Sequence, residues 1–197
     1  MGARRLNAIA ATAFLAGGSL FALGAALAQG DVGSARLVAG VYLAGGVCFS
    51  SGGAAGVRLA RGEGPFDQLS ALVLFVGTLI FAINLLDSLL GDLTPAQVDR
   101  LVWSPDMVGC ALFLVSGHLA MVAISRTWRP CWRPDRLDWW IVAVNQLGSI
   151  LFMVSAVASF VRADGDMIAI GIANWGTLTG ALCFAIAGLL QEFDHPN

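Results

Sequence analysis

The chain has 197 residues, 57% of them hydrophobic and 12% charged, with a mean hydropathy of +0.78. Soluble domains carry roughly 25% charged residues, so half that share excludes a soluble enzyme, a disordered tail and a nucleic-acid binder. Eleven basic residues (all arginine) against 13 acidic ones give a net charge of −2, and the 4 cysteines lack the paired spacing of a disulfide framework or zinc ribbon. An integral membrane protein remains.

A helix that crosses the ~30 Å hydrocarbon layer needs about 20 mostly apolar residues. Six such runs lie at about 6–28, 36–58, 68–90, 107–125, 139–162 and 167–190. They predict an all-α integral membrane fold of six transmembrane helices in a single domain. Arg4 and Arg5 before the first run, with Ala26-Leu27-Ala28 at its end, resemble a secretory signal and its cleavage site. The run is nearer a full span than a signal core and shares the repeat described below, which predicts its retention.

The first two spans contain Gly17/Phe21 and Gly45/Phe49, and Gly52/Gly56 adds a plain small-residue face to the second. The third holds Gly77/Phe81, then Asn84 and Asp87, three apart on one face. Asn84 continues the Gly77/Phe81 face and is expected to point into the bundle, whereas Asp87 is expected to be hydrated near the interface. Thr94-Pro95 reads as a cap and first residue of a short interfacial helix that runs through Trp103 and ends at Ser104-Pro105.

The fourth span carries Gly109/Phe113 and, near its middle, His118. An intramembrane ionisable residue is a functional candidate by default. His118 is read either as a proton-titrating or ligand-contacting group or, more plainly, as a neutral imidazole bonded to a carbonyl, Asn145 or Ser116. The next loop repeats Trp-Arg-Pro around Cys131, placing Trp128, Arg129, Trp132 and Arg133 together with Trp139 and Trp140 close behind. Tryptophan favours the headgroup zone and arginine pairs with lipid phosphate, so this loop is expected to anchor at lipid headgroups.

The fifth span holds Asn145 and Gln146 before Gly148/Phe152; the sixth holds Asn174 and Trp175 before Gly176 and Gly180/Phe184. Interhelical hydrogen bonding is the expected role of Asn145. Asn84, Asp87, Asn174 and Asp106 together are expected to line a vestibule opening to the outside, or else to join helices singly. Cys48, Cys110 and Cys183 read as small apolar fillers.

Gly-x-x-x-Phe thus occurs once in each span, extended to a further glycine at Gly53, Gly117 and Gly188 in the even spans. From each odd-span glycine to its even-span counterpart the separation is 28, 32 and 32 residues. Three tandem parallel hairpin repeats, about 6–58, 68–125 and 139–190, explain this most simply, arranged about a pseudo-threefold axis or in a row. Without apolar burial to drive association in lipid, close approach at small residues becomes a main source of helix pairing. The motif therefore indicates packing rather than chemistry.

Arg4, Arg5, Arg58, Arg61, Arg126, Arg129, Arg133 and Arg136 fall on one side of the membrane, and Arg36, Arg100 and Arg162 on the other. The positive-inside rule puts both termini in the cytoplasm.

The segments Trp103–Phe113, Asn145–Phe152 and Ala173–Phe184 resemble the YrhK-like membrane proteins of high-GC bacteria, most strongly over residues 100–190. The resemblance implies a multi-pass protein of a bacterial cell membrane and brings no activity with it.

No phosphate loop, catalytic triad or metal motif is present. A bis-histidine haem needs two intramembrane histidines, and His195 lies in the polar tail. No cofactor and no enzymatic activity are expected. The expected partners are membrane lipids, and also a second copy or a membrane complex, but not nucleic acid. The reading favoured by the sequence is a structural or accessory bundle; the alternative is a small transporter or channel using His118 and the asparagines.

Overall fold

A computed structural model describes residues 2–91, 93–129 and 131–194. His195, Asn197 and Pro130 of the Trp-Arg-Pro loop lie outside the described residues. The elements are α1 (Ala3–Gln29), α2 (Ala35–Leu59), α3 (Pro65–Asp87), the single turn α4 (Pro95–Val98), a π-helical turn (Asp99–Trp103), α5 (Ser104–Ser125), α6 (Leu137–Ala158) and α7 (Ile170–Glu192). Six of the helices among the described residues are long and apolar enough to cross a membrane. The shortest span helices have 22 residues and rise roughly 33 Å at 1.5 Å per residue, enough for the hydrocarbon layer.

Local sequence sets most of the boundaries. Ser34 caps α2 by accepting from the Leu37 N–H, Pro65 opens α3, and Thr94 with Gln97 forms a complete capping box at α4. The interfacial helix does not stop at Ser104-Pro105, as the sequence suggests. Instead the chain widens into the π turn and runs on into α5, and the Ser104 hydroxyl donates to the Asp99 carbonyl at 2.8 Å. A proline lacks an N–H and crowds the carbonyl four residues back; the wider turn accommodates it without ending the helix. The fifth span is shorter than its apolar run because residues beyond Ala158 fold into a hairpin loop. There Val161 and Met167 form a β-bridge, and the Asp99 carboxylate accepts from the Val161 N–H.

The span helices form a closed ring in chain order, with α1 packed extensively against α7. A linear row of hairpins is therefore not the arrangement. The end of the ring that holds Ala3 and Glu192 is called the near end; the other is the far end.

Six phenylalanines, one per span, fill the middle of the ring. Phe21, Phe81 and Phe152 touch one another at centroid separations of 5.6, 6.1 and 6.1 Å. Phe184 contacts Phe49, Phe113 and Phe152 at 5.3, 6.0 and 5.1 Å. Five of the six are at most 4% exposed.

Glycine makes room for these rings across each hairpin. The pro-side-chain position of Gly17 faces the Phe49 ring and that of Gly45 the Phe21 ring. The same reciprocal contact joins Gly77 to Phe113 and Gly109 to Phe81, then Gly148 to Phe184 and Gly180 to Phe152. Gly52 and Gly176 also face neighbouring helices, but nothing lies within 4 Å of Gly56, so Gly52/Gly56 is not a continuous packing face.

Hydroxyl and amide groups fasten the same helices. Ser70 and Ser116 each donate to the other's backbone carbonyl at 2.9 Å, joining α3 to α5. At the near end, buried Asn7 donates to the Gln191 and Asp194 carbonyls at 3.0 and 2.8 Å, satisfying the last turn of α7.

Candidate functional site

A cavity of about 230 Å³ lies at the far end, and every span helix contributes to its wall. Phe21 and Phe81 line it from the side of the phenylalanine cluster, and Val98 of α4, Val102 of the π turn and Val161 and Met167 of the hairpin loop add to its wall. The lining is mainly apolar, and several of its polar side chains come from matched positions on paired helices. Asn84 lies seven residues after Gly77 on α3, and Asp106 lies three before Gly109 on α5. Running antiparallel, they meet at one height, where Asn84 Nδ2 donates to Asp106 Oδ1 at 3.2 Å. Ser155 and Thr177 hold the same offsets on α6 and α7, and their hydroxyls are 2.7 Å apart. On α1 and α2 the same offsets fall on Gly24 and Tyr42, and the glycine leaves room for the phenol ring.

Asp106 is held in place from two sides. The Cys110 thiol also donates to its Oδ1, at 3.8 Å, while Trp103 one turn earlier donates its indole N–H to the Ala156 carbonyl at 2.8 Å. Oδ2 has no hydrogen-bond donor among the described residues, and the salt bridge found among them is Arg136–Asp138, far away at the near end. Arg36, Arg100 and Arg162, the far-end arginines, are all exposed.

Of the polar residues singled out from the sequence, the structure brings Asn84 and Asn174 into this cavity and leaves Asp87 outside its lining. Asn84 is 5% exposed, as its face predicts. Asn145 lines a second cavity of about 150 Å³ at the near end, beside Ser70, Ser116 and Gln191. Its neighbour Gln146 makes the helix crossing, donating to the Leu114 carbonyl at 3.4 Å, and its Oε1 is buried without a partner. Gly117 lies directly against that oxygen and has no room for a side chain.

His118 joins neither cavity. Gly109, Phe113 and Gly117 turn inward, and the next residue on α5 is rotated about 100° from that face; His118 is consequently exposed on the outside of the bundle. The cavities share no lining residue, and the phenylalanine cluster lies between them. Asp106 lines the far-end cavity with Asn84 and Asn174, as the expected vestibule has it, whereas Tyr42, Ser155 and Thr177 are not singled out from the sequence and Trp103 is read there only as the end of the interfacial helix. For Tyr42, Asp106, Ser155 and Thr177 the signal is the offset from the Gly-x-x-x-Phe glycine.

In the near-end loop Trp128 and Trp132 are 68% and 75% exposed, and Arg129 and Arg133 are exposed beside them. Trp139 anchors the loop by donating to the Cys131 carbonyl at 2.7 Å and stacking edge-on with Trp132. Asp138, bonded to Arg136, raises the already high pKa of that guanidinium.

Six apolar helices of spanning length fit a polytopic membrane protein. Compared with known proteins, the chain matches no family model, no curated protein and no solved structure.

Proposed function

We propose that this protein is a structural or accessory membrane bundle, built from three tandem parallel hairpins and closed to transmembrane flow. The observation that carries this reading is the phenylalanine cluster. It fills the ring between two cavities that never meet. The reciprocal Gly–Phe contacts and the matched pairs Gly24–Tyr42, Asn84–Asp106 and Ser155–Thr177 support the threefold hairpin organisation. The chain has none of the sequence equipment for catalysis, which argues against an enzyme.

The near end, with its eight arginines, faces the cytoplasm of a bacterial cell by the positive-inside rule, consistent with the resemblance to YrhK-like proteins. Trp128, Arg129, Trp132 and Arg133 then meet the inner-leaflet headgroups, making anionic lipid the first partner.

The test is flux through proteoliposomes loaded with pH- and potassium-sensitive dyes. The wild-type chain is expected to pass neither protons nor potassium above the level of empty vesicles. Phe81→Ala with Phe152→Ala removes adjacent rings from the cluster and is expected to introduce a leak. Wild-type flux that saturates with substrate overturns the closed-bundle reading in favour of a transporter.

A further inference from the structure

We infer that the far-end cavity is a binding site for a small organic ammonium ion, with Asp106 as its counter-charge and the surrounding aromatic rings as its walls. Three observations converge on this ligand class. The first is size. A dry apolar cavity of ~150 Å³ accommodates benzene, so about 230 Å³ admits a ring with a short chain, or an alkyl chain of similar bulk.

The second is charge. A carboxylate withdrawn from water into a mainly apolar site is costly unless paired. Every arginine at this end is exposed and none reaches Asp106, whose Oδ2 has no donor among the described residues. Asn84 and Cys110 fix the carboxyl group through Oδ1, leaving the second oxygen for an incoming donor.

The third is the character of the wall. Phe21, Phe81, Tyr42 and Trp103 line the same space, and the faces of such rings attract cations by about 0.5–2 kcal/mol each. A carboxylate backed by aromatic rings suits an ammonium group and disfavours an anion of the same shape. Asn174, across the cavity on α7, supplies an amide for a further polar group on the ligand.

The experiment uses the full chain, purified in detergent, with 2-phenylethylammonium, 2-phenylethanol and phenylacetate as probes of nearly equal shape. Binding is read by calorimetry at pH 8. The ammonium is expected to bind at least about tenfold more tightly than the alcohol, the order of one desolvated charge pair, and phenylacetate is expected not to bind. Asp106→Asn is expected to erase the difference between ammonium and alcohol, while Asp135→Asn in the near-end loop leaves it intact.

Should Asp106→Asn fail to fold, the wild-type chain supplies the second readout. A hydrophobic carbodiimide is expected to label Asp106, and the ammonium, but not phenylacetate, to protect it. Equal binding of alcohol and ammonium, a preference that survives Asp106→Asn, or labelling unaffected by the ammonium overturns the assignment.

Discussion

Replacing Gly18 by alanine adds one methyl group where α1 lies directly against the backbone of α7. The new Cβ would lie 2.6 Å from the Ala185 nitrogen, 2.7 Å from the Ala181 carbonyl oxygen and 2.9 Å from the Ala185 Cα. All three are backbone atoms of α7, so no side chain can rotate away. Restoring ordinary contact at 3.4 Å requires α1 and α7 to separate by roughly 0.8 Å. A gap of ~0.5–1 Å forfeits a quarter to a half of each dispersion well, and Gly188, which faces the backbone of α1 at Leu15, is drawn apart in the same movement.

Overpacking of this kind costs about 1–3 kcal/mol, against a gain of about 1 kcal/mol in helix propensity for alanine over glycine. We expect a net loss of about 2 kcal/mol because the obstruction is backbone on both helices. On the scale of soluble chains of this size that lowers the melting midpoint by about 4–8 °C, read by tryptophan fluorescence during heating in detergent. Gly40→Ala is the internal control. Nothing lies within 4 Å of that position, so the same chemical change should leave the midpoint unchanged or raise it. If Gly18→Ala and Gly40→Ala melt together, close backbone approach is not what holds α1 to α7.

Ser70→Ala and Ser116→Ala each break one half of a reciprocal pair; each is expected to cost about 0.6–2 kcal/mol. The double variant should cost clearly less than their sum, and strict additivity in the melting midpoints would show that the pair does not act as a unit. His118→Leu is expected to keep or raise thermal stability, since the imidazole faces outward at membrane depth; a drop of several degrees would place it inside a packed interface. Arg129→Gln with Arg133→Gln should weaken retention of anionic phospholipid, measured by mass spectrometry of co-purified lipid at low salt. Unchanged lipid content would remove this loop from headgroup recognition.

Much of the packing register is written in the sequence. Gly17/Phe21 and its five counterparts could be read from spacing alone, because residues four apart share a helix face wherever the helix goes. Asn84 was placed inward by the same geometry and is buried. His118 was harder to place: depth along a span is visible in sequence, but its rotation depends on which face the neighbours take. Gly117 settled that face by meeting Gln146, a contact 29 residues away along the chain. The interfacial helix shows the same limit, since Pro105 looks like a stop until the π turn lets the helix pass.

Low charge, six apolar runs and their helical period followed from the sequence by itself, because transfer into lipid is a property of each segment separately. Closure of the ring, the filling of its centre by six phenylalanines, and the entry of Tyr42, Trp103, Ser155 and Thr177, but not Asp87, into the cavity with Asp106, Asn84 and Asn174 were decided only in three dimensions. Each of these depends on how α1 meets α7 and how antiparallel partners align in height. Those relations are set by contacts between segments, and in lipid they come from close packing and a few hydrogen bonds rather than from hydrophobicity. Hydropathy, which speaks so clearly about where the spans are, carries no information about which faces meet.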